Sequence, residues 1–333
     1  DRFDGHDFLA DVINKKVSGI IISDPEKLPS KPVRSEEEPF MIHVQDTLKA
    51  LQDLASFQRK RFPLQVVAVT GTNGKSTTKE MIASILEAKF KTLKTQGNLN
   101  NHIGLPLTLL KREPSHEMGV LELGMSSAGE IKRLAEIAQP DIGVITNISE
   151  GHLAQLKSLK DIQSAKGELF NALTEESTAI VNADDPLVLE LARSLRAKTV
   201  SFGIDQPADV RASEIENKDN SGFQFKVSLF DKTLSLRLPY LGYCNIYNAL
   251  AALATGYSLG IEEDAMTRGL ENYQSMSQRN EQMRHKGIDL INDAYNANPR
   301  SMTEALKTLD NFKTQGRRIF VIGDMLELGD LSN

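Results

Sequence analysis

The sequence predicts an α/β fold. Its centre is a P-loop-type, mostly parallel sheet flanked by helices, with a partial α/β unit before it and the first strand of another unit after it. Three observations carry that expectation. Short apolar, largely β-branched runs alternate with helical stretches over residues 66–312, the pattern of parallel βα units. One of these runs, Val66-Val67-Ala68-Val69, opens into a glycine-rich turn that leads straight into a helix. The polar residues suited to chemistry fall just past the carboxyl ends of such runs, where open α/β sheets hold ligands.

The turn is Thr70-Gly71-Thr72-Asn73-Gly74-Lys75-Ser76-Thr77-Thr78. Gly71 and Gly74 let the backbone fold tightly and aim several N–H groups at one anion. The helix that follows, with Ile82, Ile85, Leu86 and Phe90 spaced along one face, adds the partial positive charge of its N-terminus. Lys75 can reach a terminal phosphate, and the Ser76 hydroxyl can complete the shell of a phosphate-bound Mg²⁺. The familiar G-x-x-x-x-G-K-[ST] pattern would place glycine where Val69 stands. The alternative is a tight strand-to-helix turn that happens to carry a lysine. The hydroxyl run after Lys75 favours an ATP site, with Gly71 to Thr77 as its cradle.

Length and composition set the bounds. A chain of 333 residues suggests two or three domains. It is 40% hydrophobic and 25% charged, an ordinary globular profile, and no apolar run approaches the ~20 residues of a membrane span. A formal net charge of −6 argues against a broad nucleic-acid surface, so anionic ligands must be met by local donors. The one cysteine, Cys244, excludes an internal disulfide and fits a reducing cytoplasm.

Taken in order, residues 18–22 and 41–44 read as strands, 46–57 as a helix and the proline- and charge-rich 24–40 as a loop. Strands are expected at 117–124, 141–148, 179–182 and 289–293, and helices at 164–173 and 245–257. Residues 223–238 alternate like antiparallel strands, and 318–322 read as a strand near the C-terminus.

Several residues could carry chemistry. Glu122 closes an apolar strand, where an acid can hold Mg²⁺ or simply cap. His152 follows a strand and a small turn, a position equally suited to a structural imidazole. Lys166 looks like any solvated helical lysine. Asp184-Asp185-Pro186 reads as a turn starter with no catalytic role. In Gly97-Asn98-Leu99-Asn100-Asn101-His102-Ile103-Gly104, the residues Asn98, Asn100, Asn101 and His102 either satisfy turn backbone or bind an oxygen-rich ligand such as a sugar phosphate. Asn292-Asp293-Ala294-Tyr295-Asn296-Ala297-Asn298-Pro299 poses the same choice, with Asp293 suited to ribose hydroxyls. Arg279 is a candidate phosphate fork.

Together these segments resemble the Mur ligase family, the ATP-dependent amide-forming enzymes of peptidoglycan synthesis. The phosphate loop resembles that family's own variant, which accounts for Val69. The 97–106 segment and Asp293-Ala294-Tyr295-Asn296-Ala297-Asn298-Pro299 are similar to the branch that adds D-alanyl-D-alanine, as are Arg2-Phe3-Asp4-Gly5-His6-Asp7-Phe8 and Gly323-Asp324-Met325-Leu326-Glu327-Leu328-Gly329. The resemblance implies a cytoplasmic, monomeric ligase using ATP and Mg²⁺, with UDP-MurNAc-tripeptide and D-Ala-D-Ala as substrates. It implies three domains: 1–62, a partial UDP-sugar-binding domain; 63–313, the central ATP-binding domain; and 314–333, the start of a C-terminal Rossmann-like domain. Both ends read as cut, so this chain is expected to hold nucleotide without useful turnover.

The same resemblance assigns roles. Lys75 holds the β/γ-phosphates, Ser76 and Glu122 serve one Mg²⁺, and His152 a second. Lys166 is the lysine carried as a carbamate, bridging toward the metals. Asn248 lies by the adenine, Arg279 near the γ-phosphate and Asp293 on the ribose. Two stretches depart from the family: Leu123-Gly124-Met125-Ser126-Ser127, and Leu153-Ala154-Gln155 after His152. The rival readings are a folylpolyglutamate-synthase-like ligase and a nucleotide- or UDP-sugar-binding module without turnover.

Overall fold

The structure, a computed structural model, describes residues 4–28, 39–151 and 156–325. The first part holds helix α1 (Leu9–Asn14), strands β1 (Gly19–Ile22) and β2 (Phe40–His43), and helix α2 (Thr47–Arg61). β1 and β2 pair in parallel as a small sheet of their own. Asp46 caps α2 by accepting from the Lys49 N–H at 2.9 Å, so the expected helix starts where its cap predicts and runs on to Arg61.

The central body strings together β3 (Gln65–Thr70), α3 (Lys75–Leu86), β4 (Thr92–Lys94), α4 (Gly104–Leu110), β5 (Met118–Glu122), α5 (Glu130–Ala138), β6 (Ile142–Ile145), α6 (Leu159–Asn171), β7 (Thr178–Asn182), α7 (Pro186–Ala192) and β8 (Lys198–Gly203). After them come β9 (Val210–Asn217), β10 (Phe223–Leu229), β11 (Lys232–Leu238) and the helices α8 (Cys244–Ser258) and α9 (Glu263–Asn272). One nine-stranded sheet results, in the order β4-β5-β3-β6-β7-β8-β9-β10-β11. It is parallel from β4 to β9 and antiparallel across β9-β10-β11, as the alternation of 223–238 predicts.

β3 is buried at every residue after Gln65 because both of its faces are covered. Val67 and Val69 point into the layer made by Met81, Ile82 and Ile85 of α3 and the alanine-rich α8. Val66 and Ala68 point into the opposite layer, with Leu105, Ile131, Ile162 and Phe170 from α4, α5 and α6. Period-two alternation thus ties both helical layers to one strand. It also brings the carboxyl ends of β3, β5, β6 and β7 to one edge. Phe90 lies beyond the end of α3, yet packs on the same core.

Two elements differ from expectation. The strand at 289–293 exists as β13 (Ile288–Asn292), but it pairs antiparallel with β12 (Glu281–His285) as a separate hairpin, not in the main sheet. Helix α10 (Pro299–Asn311) follows it. Residues 318–322 carry no strand pairing: among the described residues no strand stands beside them, and Val321 is 88% exposed. An apolar β-branched run makes a strand only where a partner takes up its backbone groups.

Asp184 and Asp185 hold backbone N–H groups, as their reading as a turn starter predicts. Asp185, 5% exposed, caps α7 by accepting from Leu187 N (3.0 Å) and Val188 N (3.2 Å). Its other oxygen accepts from Ile148 N at 2.8 Å. Asp184 accepts from the N–H groups of Ile204, Asp205 and Gln206 and from the Tyr247 hydroxyl, which hold its carboxyl below the usual range against the cost of burial. Asp185→Ala removes a cap and strands a buried N–H, so it is expected to cost roughly 2–4 kcal/mol. Urea denaturation checks this; an unchanged midpoint would contradict it.

Candidate active site

The loop after β3 is shaped by two glycines. Gly71 has φ +146° and Gly74 φ +81°, conformations that side chains rarely adopt. A Cβ on Gly71 would lie 1.9 Å from Thr146 Oγ1, and one on Gly74 would lie 2.3 Å from Asn248 Oδ1. The loop is pinned from the end of β6. Thr146 Oγ1 donates to the Asn73 carbonyl (2.6 Å), as does Asn147 Nδ2 (3.0 Å), while Asn147 Oδ1 accepts from Asn73 N (3.1 Å). Thr72 Oγ1 donates to the Ser149 carbonyl and accepts from Ser149 N. Thr146, Asn147 and Ser149, which shape the loop, are not among the residues the sequence singles out. Their signal is a polar cluster at the end of the strand beside β3.

Two amines meet on one carbonyl of this loop. Lys75 Nζ donates to Gly71 O at 3.0 Å and to Thr72 O at 3.1 Å. Lys166 Nζ, from α6, donates to the same Gly71 oxygen at 2.9 Å. Lys166 is 2% exposed. Burial, and then the neighbouring Lys75, push its amine well below the ordinary lysine range. Lys75 is lowered too, chiefly by burial, with Glu122 opposing and Arg279 reinforcing the shift.

Glu122 ends β5 at 2% exposure. Its Oε1 accepts from Asn100 Nδ2 at 2.8 Å, but its Oε2 is buried without a hydrogen-bond partner. An unpaired buried carboxylate oxygen is costly unless a cation meets it. Among the described residues no three His, Cys, Asp or Glu side chains cluster to hold a metal by themselves. Mg²⁺ asks for less: one or two carboxylates, completed by water and phosphate oxygens. Glu122 with the Ser76 hydroxyl fits that ion. His152 lies outside the described residues.

Arg279 closes the other side. Its Nη2 donates to Ser76 Oγ at 3.0 Å, its guanidinium stacks 4.0 Å from the Tyr295 ring centroid, and its Nε is buried without a partner. Asp293, at the end of β13, accepts from Asn280 N at 3.0 Å; burial raises its carboxyl, opposed by that bond and by Arg279. Asn248 sits beneath Gly74, accepting from Thr78 Oγ1 (3.2 Å) and donating to Asn245 Oδ1 (3.1 Å). It therefore supports the loop from below.

Lys75, Ser76, Glu122, Asn248 and Arg279 line one cavity of ≈ 860 Å³, from the phosphate loop across to Asp293 and Asn298, while Lys166 is not on its wall. Of the four residues expected on an oxygen-rich substrate, Asn100 and Asn101 line it. Asn101 also caps α4, accepting from Ile103 N and Gly104 N. Asn98 and His102 are exposed and not brought to it; the His102 carbonyl accepts from Gln52.

Fold and site define a nucleotide-binding α/β protein whose phosphate loop sits beside a buried, unpaired carboxylate. The comparisons say which. Residues 69–256 match the Mur ligase middle domain and residues 278–333 the Mur ligase glutamate ligase domain. The chain is 39% identical, over 99% of its length and 70% of the relative's, to the UDP-N-acetylmuramoyl-tripeptide–D-alanyl-D-alanine ligase of Bacillus subtilis. Its fold superposes on a crystal structure of MurF from Acinetobacter baumannii with a TM-score of 0.90, at 35% identity over 100% of this chain and 71% of that one. For MurF ligase from Thermotoga maritima, solved in complex with ADP, the TM-score is 0.87, at 30% identity over 99% of this chain and 74% of that one. This chain belongs to the Mur ligase family.

Gly74→Ala is expected to weaken ATP·Mg²⁺ binding roughly tenfold or more, since strain at positive φ and the clash with Asn248 displace the loop. Titration calorimetry checks it; parent-like affinity would mean that the loop geometry is not what holds the ligand.

Proposed function

We propose that this protein is an ATP-dependent amide ligase that joins the tripeptide carboxylate of UDP-MurNAc-tripeptide to the amine of D-Ala-D-Ala in cytoplasmic peptidoglycan precursor synthesis. The observation that carries the reading is the meeting of Lys75 and Lys166 on one loop carbonyl, with Lys75 lining the same cavity as Glu122, whose Oε2 is unpaired. The branch follows from the relatives, which bear that ligase's name over nearly the whole chain.

In this reading the loop N–H groups and Lys75 take the β- and γ-phosphates, and Arg279 turns toward the γ-phosphate. Asp293 accepts from ribose hydroxyls and Asn248 borders the adenine. Ser76 and Glu122 would hold one Mg²⁺ and His152 a second, with Lys166 as a carbamate bridging toward them; bound metal would supply neutralisation of phosphate charge. Carbamate formation needs a neutral amine, and the lowered Lys166 amine favours one. The tripeptide carboxylate oxygen bonds to the γ-phosphorus as the β–γ bridging bond breaks, giving an acyl phosphate and ADP. The D-Ala-D-Ala nitrogen then attacks the acyl carbon, loses its proton and expels phosphate. Positioning and charge neutralisation do the catalysis, with no enzyme nucleophile. Asn100 and Asn101 reach the sugar-phosphate side. The domain division at 62/63 and 313/314, and a monomeric state, belong to the same proposal.

Phosphate release by the protein, supplied with ATP, Mg²⁺ and UDP-MurNAc-tripeptide, is expected with D-Ala-D-Ala and absent with glutamate and folate. Release with the second pair would favour the folylpolyglutamate-type ligase. Nucleotide binding with no release under either condition would favour a binding module.

A further inference from the structure

A pair of amides ties the phosphate loop to the start of α10. Asn73, midway between the two loop glycines, accepts at Oδ1 from Asn298 Nδ2 at 2.7 Å. Its own Nδ2 points back at Asn298 Oδ1 at 3.4 Å. Asn298 is also the cap of α10: Oδ1 accepts from Ser301 N at 2.9 Å, and its N–H donates to Ser301 Oγ at 2.9 Å. One side chain therefore starts the helix and grips the loop.

The two ends of this grip belong to different bodies of the fold. Asn73 stands on the turn after β3, and its backbone is fixed by Thr146 and Asn147. Asn298 follows the β12–β13 hairpin, which is outside the main sheet. That hairpin reaches the loop through Arg279 on Ser76. α10 has little of its own to hold it, since only Thr308 in it is buried. An element so exposed sits at the low end of local stability, and a few polar contacts decide its position.

We propose that Asn298 is a positioning residue that couples occupancy of the phosphate loop to the placement of α10. Phosphates bound by the loop N–H groups further restrain Asn73, and the amide pair passes that restraint to the start of α10, where Asn298, Arg300 and Ser301 form part of the cavity wall. Linkage makes the coupling reciprocal: holding α10 in place must tighten nucleotide binding by the same factor. The inference rests on the nucleotide-binding part of the reading above, not on the identity of the amine substrate.

Asn298→Ser separates the two roles, because serine caps a helix as well as asparagine does but cannot reach Asn73. The melting temperature without nucleotide is expected to match the parent's. ATP·Mg²⁺ affinity should fall about fivefold to tenfold, on the order of one net hydrogen bond or slightly more. Hydrogen exchange across α10, slowed by ATP·Mg²⁺ in the parent, should no longer respond to it. Asn73→Ala should lose affinity, and Asn73→Ala with Asn298→Ser should lose no more than the larger single loss. Affinity losses that add, or an α10 still protected by nucleotide in Asn298→Ser, would overturn the coupling while leaving the ATP site intact. A parent chain that binds no ATP would overturn the coupling and the ATP site together.

Discussion

The site depends on a crowding of positive charge that the protein does not itself neutralise. Lys75 and Lys166 share the Gly71 carbonyl, and Arg279 holds the hydroxyl next along the loop. Glu122 is the carboxylate that answers Lys75, with one oxygen spent on Asn100. In a chain of net charge −6 this is a local excess, built where desolvation makes each charge more costly. Burial first, and the neighbouring cations second, hold both lysine amines below their ordinary range, and the cavity is suited to a polyanion. The sheet supplies the rigidity this requires. β3, β5 and β6 end side by side, and α6 delivers Lys166 to them from the opposite layer.

Much of this was legible in the sequence, for identifiable reasons. A buried strand followed by two glycines and a lysine admits few geometries, so the loop and its helix lie where the pattern put them. Asp46 announced the start of α2 because capping is local chemistry. Lys166 was treated as solvated on its own merits, and only family resemblance singled it out. Helical spacing held the missing signal, since Ile162, Ala165 and Leu169 are its buried neighbours on α6. Thr146 and Asn147 could not be found by local pattern, because their partner is a strand far away in sequence. The same limit misled on residues 289–293. The run was expected to be a strand and is one, but a local run does not say which strand will pair with it. The amide-rich 97–104 segment divided by geometry: Asn100 faces Glu122, Asn101 caps α4, and Asn98 and His102 look outward.

Arg279 links these points to function. With its guanidinium on Ser76 Oγ, it occupies the hydroxyl that the proposed function gives to Mg²⁺, and a dication there would be repelled by it. Binding of ATP·Mg²⁺ must therefore draw Arg279 off Ser76, toward phosphate. A crystal structure with a non-hydrolysable ATP analogue and Mg²⁺ tests this most directly. The expected result is a metal within bonding distance of Ser76 Oγ and Glu122, with Arg279 moved onto phosphate oxygen. Phosphates seated away from Gly71 to Ser76, or a metal that ignores Glu122 while Arg279 stays on Ser76, would contradict the account.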